Sequence, residues 1–145
     1  MRAMGLDLGT KNIGVAVSDE LGMIAHGREV IKRISDAKAI ARVSEIVAEE
    51  RVTEIILGMP LNMDGSTGER GRDSERFAKK ISEAMSIPVK LWDERLSTKE
   101  AEDVLLQADV SRGKRKKVID KLAAQLILQS YLDYVGESND KDIDV

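Results

Sequence analysis

Hydrophobic and polar positions alternate with period two at the start of the chain and take up the period of a helix further on. The run Met4-Gly5-Leu6 leads into Asp7, Gly9-Thr10 follow, and Ile13, Val15 and Val17 then alternate with other residues. This predicts a hairpin of two strands, near residues 2–8 and 12–18, with Asp7 at the turn end of the first and presented to an open edge. A third strand is expected from about Ile24 to Ile34, then a helix from about Asp36 to Arg51. Next come a strand Glu54–Leu57, a loop from Gly58 to Gly71, a helix to about Met85 and a buried strand Val89–Trp92. Ser97-Thr98-Lys99-Glu100 has the form of a capping box and opens a helix near 98–107. Ile119, Leu122, Ala123, Leu126, Ile127 and Tyr131 mark a last helix, near 117–135. A meander of strands followed by strands alternating with helices implies an α/β protein with a mixed central sheet flanked by helices.

Three acids stand where apolar segments begin or end, which is where a fold can turn a charge toward a cleft. Asp7 closes the first strand, and Gly5, Gly9 and Gly14 around it permit close backbone approach. Glu94 falls in a strand-to-helix loop, where open parallel sheets bind ligands. Asp120 falls in the first turn of the last helix, and Ala123-Ala124 keep that helix slim enough to pack tightly. Each has a bland reading as well: Asp7 as a turn residue, Glu94 as a surface partner of Arg95 or Lys99, and Asp120 as a helix N-terminal acid. Together the three read as a site for a hard cation, Mg²⁺ or Mn²⁺.

The segments GLDLGTKNIGVAVSD, GMPLNMDG, DERLST and the D-x-x-AA helix ending in LILQSYLD resemble the YqgF (RuvX) family, in that order, from Gly5 to about Asp133. The resemblance implies a ribonuclease H-like fold. It also implies a nuclease, since members are described as Holliday junction resolvases and as pre-16S ribosomal RNA nucleases. On this resemblance Asp7, Glu94 and Asp120 are the catalytic and metal-holding residues. The expected activity is metal-dependent phosphodiester hydrolysis at the 5′ end of precursor 16S rRNA, with junction resolution in DNA as the alternative.

Composition agrees with a single enzyme domain over residues 1–136. The chain has 145 residues, 42% hydrophobic and 34% charged, with no apolar run long enough to span a bilayer. A cytoplasmic protein with no membrane partner is the expectation. Cysteine is absent and His26 is the one histidine, which argues against disulfides and zinc. The net charge of −3 resides in the tail 137–145, where Glu137, Asp140, Asp142 and Asp144 face Lys141; that tail is expected to be disordered. The remaining body is near neutral and holds two basic clusters: Arg112, Lys114, Arg115, Lys116 and Lys117, and Arg70, Arg72 and Arg76. Charge patches of this kind track phosphates.

The nucleic-acid contacts expected from these patterns are Thr10, Lys11, Asn62, Arg70, Arg72, Arg95, Arg112, Lys114, Arg115 and Lys116. In the Gly58–Gly71 loop, Gly65, Gly68 and Gly71 suggest mobility, Asn62 can reach a phosphate or base, and Met59, Leu61 and Met63 suggest packing. His26 reads as structural and Trp92 as core. Aromatic content of 3% leaves few stacking platforms, so the partner is structured RNA or branched DNA recognised by charge and shape. A monomer suits the first and a two-fold dimer the second. The D-x-G-T hairpin also resembles the phosphate loop of actin-like ATPases, but neither a second such segment nor a G-x-x-x-x-G-K-[ST] loop is present. A binding module without catalysis is the remaining alternative, and a cluster of anions opposite phosphate argues against it.

Overall fold

The computed structural model describes the backbone of residues 1–96 and 112–143, and side chains through Leu96 and from Ile119 to Glu137. Five strands form one sheet: β1 (Arg2–Leu8), β2 (Asn12–Ser18), β3 (Ala25–Lys32), β4 (Val52–Met59) and β5 (Val89–Asp93), in the order β3-β2-β1-β4-β5. β1 pairs antiparallel with β2 and β2 with β3, whereas β4 runs parallel to both β1 and β5. The mixed sheet expected from the sequence is thus present. The carboxyl ends of β1, β3, β4 and β5 share one end of it.

Three helices are described: α1 (Asp36–Glu50), α2 (Glu69–Ala84) and α3 (Arg112–Ile143). Ser35 caps α1 by accepting the Lys38 N–H at 3.2 Å, and Arg51 ends it in the left-handed region at φ 55°. α1 and α2 cover one face of the sheet, over a core of Met4, Leu6, Ile13, Val15, Ile46, Ile55, Leu57, Phe77 and Ile81. α3 covers the other, where Ala3, Ala16, Ala25 and Ile56 meet Ala124, Ile127, Leu128 and Tyr131.

Several expectations change. β1 is the central strand, so Asp7 faces the open end of the sheet and not a free edge. β5 is an edge strand with Lys90 and Leu91 exposed; its short apolar run, read as a buried strand, covers only one side of the sheet's margin. Trp92 is half-buried, edge-on to Tyr131 at 5.4 Å between ring centroids, and His26 is exposed on β3. α3 begins earlier than the apolar periodicity indicates, because the basic run from Arg112 joins it, and it continues to Ile143 through the segment read as a disordered tail. Lys and Arg are good helix formers, and Glu137 and Lys141 stand at a helix-stabilising i,i+4 spacing. The capping box Ser97–Glu100 and the helix expected near 98–107 lie outside the described residues.

Candidate active site

Alternation along β1 decides which residues meet. Met4, Leu6 and Leu8 enter the core beneath α1 and α2, so Ala3, Gly5 and Asp7 take the α3 face. Asp7 is half-buried and stands directly across from Gly14 of β2. A Cβ on Gly14 would lie 2.0 Å from the Asp120 carbonyl oxygen and 3.4 Å from Ala124 Cβ. α3 therefore rests on the bare backbone of β2 at the level of Asp7, and it does so at Asp120. With α3 starting at Arg112, Asp120 lies more than two turns inside the helix, so the macrodipole does not account for an acid there.

Glu94 arrives from the opposite side. It follows β5 as the first residue of a short 3₁₀ turn, Glu94–Leu96. A Cβ on Gly58 of β4 would come within 2.7 Å of Glu94 Oε1 and 2.7 Å of Ile127 Cδ1. The Glu94 carboxyl thus occupies the space that the missing side chain leaves on β4, next to β1. There it shares a hydrogen bond with Asp7. Burial first, then the Asp7 charge and that hydrogen bond, push the Glu94 carboxyl up to about 7, while the charge of Arg70 pulls it down.

As the side chains stand, no three His, Cys, Asp or Glu residues among those described converge closely enough to hold one ion. The donor chemistry nevertheless fits a hard divalent cation. Asp7 and Glu94 offer carboxylate oxygens held together by a proton, which is the position a cation would take over, and Asp120 is carried on the adjoining helix surface. Ionising both carboxylates is costly without a compensating charge, and Glu94 therefore keeps its proton up to about pH 7.

The expected nucleic-acid contacts divide into three sets. Thr10 and Lys11 are exposed in the β1–β2 turn, beside Asp7. Arg70 opens α2 with an exposed side chain, and its charge is felt at Glu94. Arg95 is exposed one residue beyond Glu94, with its guanidinium doubly bonded to the Asp93 carboxylate at 3.0 and 2.8 Å. Arg72 turns away from the carboxylates, toward Glu69 at 3.1 Å and the Thr67 carbonyl at 3.3 Å. Asn62 is exposed and donates to Ser66 Oγ at 3.0 Å. Arg112, Lys114, Arg115 and Lys116 lie on the N-terminal part of α3, and their side chains fall outside the described residues.

The loop itself differs from its expectation. β4 runs through Met59 and α2 begins at Glu69, so the connection is short and cross-linked, with Leu61 bridging Thr67 as in a two-stranded ladder. Gly65 sits at φ +86° and Gly71 is buried in α2, where a Cβ would meet Thr67 Cγ2 at 2.8 Å. These two glycines answer tight local geometry. Met59 packs as expected, but Met63 is 99% exposed.

One residue of the site's support escaped the sequence. Arg33, after β3, has a side chain only 12% exposed and bonds Asp73 at 2.7 and 2.9 Å, Asp36 at 2.9 Å and the Gly9 carbonyl at 3.1 Å. Its backbone N–H donates to the Lys11 carbonyl at 2.8 Å. Arg33 thereby ties the turn after Asp7 to both α1 and α2. Its main partner lies 40 residues away, a separation that leaves no local signal.

The family model for RuvX, described as a Holliday junction resolvase, matches residues 1–134. A protein of Desulforamulus reducens named "Putative pre-16S rRNA nuclease" is 56% identical over 133 residues, which is 92% of this chain and 97% of the relative. One of the same name from Bacillus subtilis is 54% identical over 136 residues, 92% and 98% of the two chains. Among solved structures, Thermus thermophilus RuvC in complex with a Holliday junction substrate superposes with a TM-score of 0.59 at 16% identity, over 91% of this chain and 93% of that one. The fowlpox virus resolvase with Holliday junction DNA gives 0.58 at 15% identity, over 93% and 99%. At such identities these structures speak to the fold, which is ribonuclease H-like.

Proposed function

This chain belongs to the RuvX family and is a phosphodiester hydrolase, and from that premise we propose that it processes the 5′ end of precursor 16S rRNA with Asp7, Glu94 and Asp120 as its catalytic residues. The substrate rests on the names of relatives that share more than half of its residues. The observation that carries the chemistry is the hydrogen-bonded Asp7–Glu94 pair, set on glycine-floored sheet beneath the α3 backbone at Asp120.

Mg²⁺ or Mn²⁺, held by Asp7 and Glu94 with Asp120 from α3, would supply the Lewis acidity that phosphodiester hydrolysis needs. The chain's own residues do the rest. Glu94, pushed up to about 7 by burial and by Asp7, gives up its proton near neutral pH, where a bound cation would favour the ionised pair. Arg70 acts on Glu94 directly, and with the exposed Lys11 it supplies positive charge that attracts the phosphate backbone, while Arg95, paired with Asp93, stands one residue beyond Glu94. Rigid strands below and α3 above keep the carboxylates in register.

A second reading, resolution of DNA junctions, is favoured by the description of the family model. It requires two copies related by a two-fold axis, whereas the rRNA reading accommodates a monomer. Wild-type protein and Asp7→Asn are to be compared on a precursor 16S rRNA end and on a four-way DNA junction, with and without Mg²⁺ or Mn²⁺. The expected result is metal-dependent cutting of the rRNA end, reduced about a thousandfold or more in the variant. Preferential cutting of the junction by a dimer would replace the rRNA reading, and cutting unaffected by Asp7→Asn would remove the catalytic assignment.

A further inference from the structure

The turn that carries Glu94 is short, and both of its flanks are fastened to α3. Alternation along β5 puts Lys90 and Trp92 on the α3 face, and Glu94 continues that side at the strand's end. Lys90 Nζ donates to Tyr131 Oη at 2.9 Å, and the hydroxyl of Tyr131 donates to Glu54 Oε2 at 3.2 Å. The Trp92 indole stands edge-on to Tyr131 and tilted by 54° to Tyr134, with centroid separations of 5.4 and 5.5 Å. Held in this way, its N–H donates to Ser130 Oγ at 3.1 Å. The Ser130 hydroxyl in turn donates to the carbonyl of Leu96, the last residue of the turn, at 3.3 Å. Trp92 before Glu94 and Leu96 after it therefore converge on one hydroxyl.

α3 has no need of that hydroxyl for itself. Alanine is the better helix former, and a mid-helix serine commonly bonds back to a carbonyl of its own helix. Here its one donor and an acceptor position are both spent across the interface, on Leu96 and Trp92. One turn earlier on the same helix, Ile127 Cδ1 shares with Glu94 Oε1 the space over Gly58. Two turns before Ile127, the Asp120 carbonyl rests over Gly14. From Asp120 to Ser130 the helix rises about 15 Å as one rigid rod. Whatever fixes the Glu94 turn to Ser130 thus fixes it to the element that carries Asp120.

We propose that Ser130 is a positioning residue: by clasping both flanks of Glu94 to α3, it sets the Glu94 carboxylate against Asp7 and the Asp120 helix, and so governs how tightly the site holds Mg²⁺ or Mn²⁺. Partners that orient a ligating side chain are typically worth about 10–100-fold in metal affinity. Without the clasp the Glu94 turn must be ordered when the cation binds, and that cost falls on affinity. Once loaded, the site holds the same donors in the same places, so its maximal rate changes little. The inference rests on the metal-dependent nuclease reading above.

Mn²⁺ binding is to be measured directly, from the electron paramagnetic resonance signal of the free ion, for wild type, Ser130→Ala, Ser130→Thr, Gln129→Ala and Asp7→Asn. Gln129 is the neighbouring control, because its side chain ties α3 to Ala25 and Met23 at the opposite end of the sheet. Ser130→Ala should bind Mn²⁺ about tenfold more weakly than wild type. Ser130→Thr, which keeps the hydroxyl, and Gln129→Ala should both stay within about threefold. The two alanine variants should unfold at similar urea concentrations, since alanine at 130 suits the helix. On the precursor rRNA end, Ser130→Ala should need about tenfold more Mn²⁺ for half-maximal cutting and reach a maximal rate within about threefold of wild type. A Ser130→Ala affinity within about threefold of wild type, or an equal loss in Gln129→Ala, overturns the positioning role. The expected Mn²⁺ affinities without cutting of either nucleic acid would remove the nuclease reading and leave the positioning of Glu94 standing. Wild-type protein that binds no Mn²⁺, or Asp7→Asn protein that binds it as tightly, overturns both.

Discussion

The two faces of the sheet are built from different residues. Toward α1 and α2 the strands present Met4, Leu6, Leu8, Ile13, Val15, Val17, Ile55 and Leu57. Toward α3 the same strands present Ala3, Gly5, Asp7, Gly14, Ala16, Ile56 and Gly58. The first face buries large side chains and supplies the hydrophobic stabilisation of the domain. The second has little to bury near the site, and what it provides is proximity. Three of its positions are so close to α3 or Glu94 that a Cβ would come within 2.7 Å of another atom. A large-residue face makes the fold stable, and a small-residue face lets a helix lie against the backbone at Asp120 and brings Asp7 and Glu94 together from distant segments.

The comparison is tested most severely at Gly14. Gly14→Val places side-chain atoms where the Asp120 carbonyl oxygen is, and that oxygen belongs to helix backbone that cannot rotate away. α3 must lift, and Asp120 with it. Cutting of the rRNA end should fall about a thousandfold, the equivalent of about 4 kcal/mol, whereas urea unfolding should show a loss of only about 1–3 kcal/mol. Equal losses by both measures would mean that the small residues serve packing alone.

Leu6→Ala is the counterpart on the opposite face. Leu6 is fully buried, next in sequence to Asp7, and its truncation should cost about 2–5 kcal/mol in urea unfolding. The folded fraction should cut at a rate within about threefold of wild type, since Asp7, Gly14 and Gly58 keep their places. A drop in rate as large as that of Gly14→Val would erase the division between the faces.

How far the sequence disclosed this division follows from what each interaction depends on. The strands and α1 were legible because their apolar residues repeat locally, and Asp7 and Glu94 were legible because a strand end and a motif mark them. Asp120 was placed in a first turn because the periodicity starts near Ile119, and periodicity is silent about a basic run that extends a helix. β5 read as buried because four residues cannot distinguish a central strand from an edge. The glycine floor was visible only as permission for close approach. Which helix residue fills it depends on the crossing of α3 over β1, β2 and β4, a three-dimensional fact. Arg33 lies furthest from any local pattern, since its meaning comes from partners contributed by other elements.

A smaller effect belongs to the α3 face alone. The Glu94 carboxyl titrates near 7 in the folded chain against an ordinary 4.5, because burial and Asp7 oppose its charge. An acid raised on folding contributes stability that is present below 4.5 and lost as pH rises through about 7. Without divalent cations, urea unfolding should therefore show a decline of roughly 1–2 kcal/mol between those limits, once solvent screening is allowed for. Glu94→Gln should flatten it, and Mg²⁺ at pH 8 should reverse it by binding the ionised pair. A wild-type profile unchanged across this window would mean that Glu94 and Asp7 do not share a proton.

The Arg33 network tests whether the two faces communicate. Its guanidinium lies 5.5 Å over the Phe77 ring, on the large-residue side, yet bonds the Gly9 carbonyl just after Asp7. Hydrogen bonds from Arg33 hold the Asp73 and Asp36 carboxyls below their usual 3.8, and burial only partly opposes this. Acids lowered on folding contribute stability that is present above 3.8 and lost as pH falls through their folded values. Arg33→Met should cost about 1–2 kcal/mol at neutral pH and reduce the wild type's acid-induced loss, and a double-mutant cycle with Asp73→Asn should recover a coupling of about 1 kcal/mol. If the faces are separable, the folded variant should cut within about threefold of wild type. A larger loss of cutting, with Asp73→Asn showing the same, would mean that the turn at Gly9–Lys11 transmits packing beneath α1 and α2 to the carboxylate above it. The division of labour between the faces would then hold for the sheet interior and fail at its rim.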